Sequence, residues 1–300
     1  MAKQTISVCI STKGRAERLS ECLQSLYLQS RRADEIVVIQ NGKEGSQKTR
    51  RICDTFSKQM PIVFALETRI GLPFGRNKSI KLSRGDISAF IDDDCVAEVD
   101  WIKRINNHFN TYNSDGVIGY TKPYLTTNVF SCVEETYYYR WLLQQIDSVD
   151  RVCKLRSGAP IDFRNAAFKS QCIKAHRFNT ELLLSCEDVE LGIRLVNAPH
   201  NIYFDPAILV SHKNSDALFK LITRNFKSGY ATESIIRQWH VSQSDIKKPF
   251  HTGRLRAYKR RVVARLENGL DKATYLTLFT VHPLSSKLGQ WVFLLQHLWQ

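Results

Sequence analysis

The feature that most constrains this chain is the alternation in its first third, where short β-branched runs are each followed by a helical pattern. The series ends at Ala89-Phe90-Ile91, which runs directly into three adjacent carboxylates, Asp92-Asp93-Asp94. Ile6 to Ser11, Glu35 to Gln40, Ile62 to Leu66 and Asp86 to Ile91 read as strands. After the first of them, Leu19, Cys22, Leu23, Leu26 and Tyr27 recur at three- and four-residue spacing, which gathers them on one helix face able to pack against a sheet. This β-α-β-α order predicts an α/β fold with a Rossmann-like, mostly parallel central sheet flanked by helices. In such sheets ligands bind beyond the carboxyl ends of the strands. The three segments that follow strands there, Ser11-Thr12-Lys13, Gln40-Asn41-Gly42 and Asp92-Asp93-Asp94, are all polar.

Three neighbouring anions repel one another, and a hard divalent cation such as Mg2+ or Mn2+ relieves the repulsion while taking its remaining ligands from substrate phosphates. The same triplet could instead form a solvated turn before a helix capped by Asp100. Upstream, Ile70 to Lys78 reads as a glycine- and proline-shaped loop that delivers Arg76 and Lys78, two residue types suited to a diphosphate, ahead of a helix from Asn77 to Leu82. Downstream, Ser185 to Leu195 has the pattern of a capping box opening a helix from about Glu187 to Asn197. Glu187 and Asp188 are favoured there by the helix dipole and are also candidates for a general base. His212, after the apolar run Ile208 to Ser211, becomes a candidate metal ligand only if the triplet binds a metal.

The net charge of +14 calls for an anionic partner, and the run from Lys247 to Arg265 contains no carboxylate. The eight cysteines are scattered with no Cys-x-x-Cys pair, so they are expected to be reduced apolar fillers in a cytoplasmic protein. No run reaches the roughly 18 apolar residues that a spanning helix needs. The basic run and a terminus containing Trp291 to Leu295, Leu298 and Trp299 read either as helices packed with a solvated basic face or as a peripheral membrane contact over residues 246–300. Nucleic acid is not the expected partner: no fold signature accompanies Phe250 and Tyr258, which could stack on bases. The middle of the chain, about Gly116 to His212, carries an aromatic helix (Tyr137, Tyr138, Tyr139, Trp141) and is placed on the acceptor side. The expected organisation is a catalytic domain over 1–215 and a helical, basic extension over 216–300.

Taken together, the opening Ile6 to Thr12 with Arg15, the segment Glu35 to Gly42, Gly71 to Asn77, the Asp92-Asp93-Asp94 triplet, and Glu187-Asp188 with Leu191 and Arg194 resemble the family 2 glycosyltransferases, inverting enzymes of the GT-A fold. The resemblance covers roughly residues 5–215. It implies a nucleotide-sugar donor, with UDP the first choice, an acceptor hydroxyl on a carbohydrate or lipid-linked molecule, and Mn2+ or Mg2+ as cofactor. It implies that Ser11, Thr12, Gln40 and Asn41 line the nucleoside side and that Asp92 and Asp93 approach the donor. Asp94, with Asp92 and His212, would hold the metal, and Arg76 and Lys78 would steady the diphosphate. Asp188 would be the base, with Glu187 the second candidate. Gln40 stands where the family usually has an aspartate. A sugar-nucleotide-forming nucleotidyltransferase would carry a glycine-rich loop after the first strand, where this chain has only Gly14. The reading from a different class is a non-catalytic membrane- or nucleic-acid-binding protein that uses the basic C-terminal segment.

Overall fold

The computed structural model describes residues 4–156, 158–214, 217–238, 252–266 and 269–296. In chain order its elements are β1 (Ile6–Thr12), α1 (Ala16–Tyr27), β2 (Glu35–Asn41), α2 (Ser46–Ser57), β3 (Ile62–Glu67), α3 (Leu72–Leu82), β4 (Ile87–Ile91), β5 (Cys95–Ala97), α4 (Trp101–Thr111), β6 (Gly116–Pro123), α5 (Val129–Gln145), β7 (Cys153–Lys154), β8 (Asn165–Lys169), α6 (Ser170–Ala175), α7 (Glu187–Asn197) and β9 (Ile202–His212). Three further helices follow: α8 (Leu218–Gln238), α9 (Thr252–Arg265) and α10 (Gly269–Gln296).

The chain divides into two compact units that interleave along the sequence. The first comprises Met1–Lys122, Asp150–Leu183 and Glu187–His212; the second comprises Pro123–Val149, Leu184–Cys186 and Lys213–Gln300. Pro123–Val149, which contains the aromatic helix α5, therefore belongs with the C-terminal helices and not with the rest of the expected 1–215 span.

The first unit is built on one sheet in the order β3-β2-β1-β4-β8-β6-β9-β5, with β7 alongside β9. Expectation and structure agree for β1 to β4: β1 lies parallel to β2 and to β4, and β2 parallel to β3. The other half is antiparallel, with β8 against β4 and β6, and β9 against β5 and β7, so the sheet is mixed and not mostly parallel throughout. Ile6, Val8 and Ile10 of β1 point into a core completed by Leu19, Cys22, Leu23 and Leu26 of α1 and by Trp101, Ile102 and Ile105 of α4. Burial on both faces explains why β1 and β2 read as continuous apolar runs. Asn165 of β8 locks the antiparallel half: its amide donates to the carbonyls of Tyr120 and Ile208 and its oxygen accepts from the Trp101 indole at 2.8 Å.

The second unit is helical. Cys132 and Val133 of α5 pack with Leu221, Val262, Tyr275 and Leu278 in a separate core. Buried acids on α5 are paired: Glu134 with Arg224, and Glu135 with both Tyr258 and Arg265. α8 and α10 touch backbone to backbone, because a Cβ at Gly229 would stand 1.9 Å from the Ser286 carbonyl oxygen and one at Gly289 would stand 2.1 Å from that of Phe226. The basic run is helical from Thr252 to Arg265; its start at 247–251, including Phe250, lies outside the described residues, as do Leu298 and Trp299. Among the described residues no helix is long and apolar enough to cross a membrane. None of the eight cysteines is joined in a disulfide, and seven are buried.

Candidate active site

The site gathers at the carboxyl end of β1 and β4, where the parallel register (Cys9 opposite Phe90) carries Thr12 and the acidic triplet to the same edge. Asp93 is fully buried and accepts from Thr12 Oγ1 at 2.6 Å and from Arg15 Nε at 3.0 Å. Burial pushes its carboxyl up to about 7 despite the opposing pull of Arg15, with Asp94 adding repulsion. Asp94 offers one oxygen to Arg15 at 2.9 Å and to Arg18 at 3.2 Å. Its other oxygen, Oδ1, is buried without a hydrogen-bond partner among the described residues and lies 3.5 Å from His212 Nε2. That proximity follows from sheet register, since Cys95 of β5 pairs directly with His212 at the end of β9.

The third acid turns the other way. Asp92 meets Arg76 at 3.1 Å, and the same guanidinium reaches Glu187 at 2.9 Å. Arg76 is buried, so the two carboxylates compensate a charge that would be costly alone. It thereby ties the end of β4 to the first turn of α7. Burial first, and then repulsion from Asp188, raise Glu187 to about 7 against the pull of Arg76. Asp188 is also held above the ordinary carboxylate range, again by burial ahead of the opposing attraction of Arg76. A carboxylate kept basic in this way is suited to taking a proton from a hydroxyl.

Several of the expected residues have partners inside the protein. Ile70 to Lys78 is not a loop: Pro73 occupies the first turn of α3, where its missing N–H costs nothing, and the helix starts at Leu72 instead of Asn77. On that helix Arg76 bridges two carboxylates, and Lys78 donates to the Leu66 carbonyl at the end of β3. Gln40 is buried with its amide donating to the carbonyls of Gly42 and Glu44 and its oxygen accepting from Thr49, so it shapes the turn after β2. Asn41 donates to the Arg69 carbonyl and accepts from the Gly71 N–H, fastening that turn to the entry of α3. Both are fully used inside the protein, which a sequence pattern does not reveal. Ser11 Oγ is buried close to Gly75, where a Cβ would sit 3.1 Å from it. The position before α7 belongs to Cys186, at φ 68°, and not to Ser185, so the expected capping box is out of register. Asp100 does precede α4, but its carboxylate accepts from Ser30 and not from the helix N-terminus.

Four residues were not singled out for these roles. Arg15 and Arg18 of the α1 entry clamp Asp93 and Asp94, and Arg15 was visible only as part of a family motif. Arg164 makes a two-pronged pair with buried Asp162 at 2.8 and 3.1 Å and approaches His212 Nδ1 at 3.3 Å. The chain Asp94, His212, Arg164, Asp162 thus runs from the acidic triplet towards Asp188, whose proton affinity Asp162 and Arg164 both influence. An arginine two residues after an aspartate was the available signal.

Among the described residues no group of three His, Cys, Asp or Glu side chains closes into a ready-made cage. Asp94 Oδ1 and His212 Nε2 still form a convergent oxygen–nitrogen pair, and Asp94 keeps that oxygen uncommitted because its other one carries the arginines. The donor set fits a divalent ion that takes most of its ligands from substrate phosphates.

Residues 7–153 match the family model described as glycosyl transferase family 2. The chain contains a family 2 glycosyltransferase domain. A glucosyl-dolichyl phosphate glucuronosyltransferase of Haloferax volcanii is 31% identical over 116 residues, 38% of this chain and 36% of the relative. The glycosyltransferase YfnE of Bacillus subtilis is 34% identical over 110 residues, 36% of this chain and 28% of the relative. The chain therefore spans about a third of the length of these curated relatives. A mannosyltransferase from Pyrobaculum calidifontis, solved with GDP-Man and Mn2+, aligns over 100% of this chain and 88% of its own at TM-score 0.65 and 12% identity. S. aureus TarS 1-349, solved with UDP, aligns over 99% of this chain and 92% of its own at TM-score 0.55 and 15% identity. The glycosyltransferase domain has the GT-A fold of these structures.

Proposed function

We propose that this chain transfers a sugar from a nucleoside-diphosphate sugar to an acceptor hydroxyl with inversion at the anomeric carbon, in polysaccharide or glycoconjugate assembly. The observation that carries the reading is the pairing of two functions across one buried arginine. On one side of Arg76 stands the triplet with an uncommitted Asp94 oxygen beside His212; on the other stand Glu187 and Asp188, both held basic. Donor and acceptor chemistry need those two faces.

Asp94 and His212 would hold the cation, with Asp92 next to them; bound there, the ion neutralises charge developing on the leaving diphosphate. Asp188 takes the proton from the attacking hydroxyl, and Glu187 fixes the orientation of that turn through Arg76. Attack from the face opposite the nucleotide passes through an oxocarbenium-like state and inverts the configuration. Thr12 and Arg15 keep Asp93 in place beneath the donor. Mn2+ is the first choice of ion, in line with the GDP-Man and Mn2+ of the mannosyltransferase neighbour. The neighbours hold GDP-Man, UDP or UDP-GlcNAc, so both UDP and GDP belong in the test. The dolichyl phosphate in one relative's name favours a lipid-linked acceptor, reached by a cytoplasmic protein in peripheral contact with the membrane through residues 246–300.

Calorimetric titration of UDP, GDP and their sugars, with and without Mn2+, tests the donor side. Metal-dependent binding of one nucleotide that disappears in Asp94→Ala is the expected result; binding unaffected by both metal and Asp94→Ala overturns the metal assignment.

A further inference from the structure

The second unit has a helix face that a protein in water alone would not keep. Val281, Leu284, Leu288, Trp291 and Leu295 of α10 follow one another at spacings of three, four, three and four residues, which aligns them along one side of the helix. They are exposed to 42%, 60%, 58%, 67% and 61%, so the stripe faces outward over four turns. The opposite side is committed: Tyr275, Leu278, Gly289 and Phe293 are buried, and Gly289 lies against the α8 backbone. Lys272 to Gln296 contains no aspartate or glutamate, and its charged side chains are Lys272 and Lys287 alone. An apolar strip of this extent marks a contact surface.

Charge decides what it contacts. α9 carries six Lys or Arg residues and no acid. Lys259 lies over the Phe279 ring of α10, and Arg265 is spent on Glu135, but Arg256, Arg260 and Arg261 stand exposed. The same unit has a cleft of about 420 Å³ where Lys220, Arg224 and Lys227 are set among Phe219 and Leu184, exposed to 79% and 60%. Apolar and cationic groups thus recur together. A second copy of the chain would bring the same positive charge, in keeping with the net +14, and be repelled. An anionic lipid surface complements both components, since acyl chains take the Leu and Trp side chains while headgroup phosphates meet the arginines.

We infer that α10 lies in the plane of an anionic bilayer surface, with Leu284, Leu288, Trp291 and Leu295 inserted below the headgroups and α9 supplying cations beside it. This narrows the peripheral contact proposed above to one helix face and rests on that reading, although it does not require sugar transfer.

Cosedimentation of the full chain with vesicles of phosphatidylcholine alone or with about 30% phosphatidylglycerol tests it, alongside Leu284→Glu/Leu288→Glu and Arg256→Glu/Arg260→Glu. Because all four positions are exposed, the variants should fold, which unchanged nucleotide titrations and circular dichroism check. The expected result is binding to the phosphatidylglycerol vesicles, at least about tenfold weaker in each double variant, with salt weakening the intact chain. A chain that ignores both vesicle types overturns the inference, as does binding that the leucine variant leaves intact. So does a dimer by light scattering that Leu284→Glu/Leu288→Glu converts to monomer, because the stripe would then belong to a second copy. Loss of nucleotide binding in the wild type with vesicle binding retained would sink the transferase reading and leave this one standing.

Discussion

In the first unit, charge is balanced internally: Arg15 and Arg18 answer Asp93 and Asp94, and Arg76 answers Asp92 and Glu187. In the second, the buried acids of α5 are also answered, by Arg224 and Arg265, but α9 goes on to present further arginines to solvent beside an apolar helix face. On the function proposed above, the cations now on the triplet would share it with a metal and a diphosphate. The second has surplus charge of one sign and no internal use for it. Closeness of opposite charges within a unit points to chemistry; an unanswered excess points to a surface outside the protein.

The largest expected effect breaks the first half of this comparison. Asp188→Asn keeps the size of the side chain and removes its basicity, so transfer should fall by about 10²- to 10⁴-fold while Mn2+-dependent nucleotide affinity stays put. Initial rates and calorimetry on the same preparation check both. A rate within tenfold of wild type would move the base to Glu187, and Glu187→Gln should then carry the loss.

The next prediction sharpens the second half. Gly289→Val drives methyl groups onto the Phe226 carbonyl, which α8 cannot withdraw without opening its own contact at Gly229. A loss of about 3 kcal/mol in unfolding free energy is expected from such overpacking. Gly253→Ala on α9 is the matched control: its Cβ meets nothing within 4 Å, and relief of backbone entropy should stabilise by about 0.5–1 kcal/mol. Equal effects at both positions would mean that the glycine crossing does not hold the helices together.

These two variants also mark how far the sequence could be read. The strand positions of β1 to β4 and the helix α7 were legible because buried strands and one-sided helices leave periodic signals in neighbouring residues. Asp94, His212 and Asp188 stand out in the sequence because their chemistry is scarce in such places, and the structure brings Asp94 and His212 to 3.5 Å. The partners of Gln40, Asn41 and Lys78 were not legible, since each is a polar residue at a strand or helix end that bonds a backbone carbonyl or N–H, and nothing in a side-chain pattern names such partners. Nor could it place Asn165, whose three bonds span elements far apart in the chain, or the Gly229–Gly289 crossing. Helix α5 joined the C-terminal unit for the same reason: its partners are Tyr275, Tyr258 and Arg265, all more than a hundred residues downstream.

The pH dependence belongs to the first unit. A base must be ionised to accept a proton, and Asp188 and Glu187 are both raised, the latter to about 7. kcat/KM should therefore fall about tenfold per pH unit on an acid limb that begins above the ordinary carboxylate range, and level off above it. Stability runs the other way. A carboxyl whose pKa is higher folded than unfolded holds its proton longer in the folded state, so Glu187 and Asp93 favour folding most below about 4 and lose that contribution as pH rises to about 7. Rate profiles and urea unfolding between pH 5 and 8 should slope in opposite directions; a flat rate profile down to pH 5 would assign the proton transfer to an ordinary carboxylate.

The smallest effect is the most discriminating between motif and geometry. By motif, Lys78 belongs on the diphosphate; in the structure its ammonium caps β3 through the Leu66 carbonyl and attracts Glu67. Lys78→Met preserves the aliphatic stem, so the change should cost about 1 kcal/mol of stability, the worth of one hydrogen bond, and leave the donor KM within about twofold. A tenfold rise in donor KM with stability unchanged would mean that the lysine leaves β3 when the nucleotide arrives. In that case α3 would supply the phosphate contact after all, and Arg76 would have to be retested by Arg76→Lys, which keeps the charge but loses the fork that spans Asp92 and Glu187.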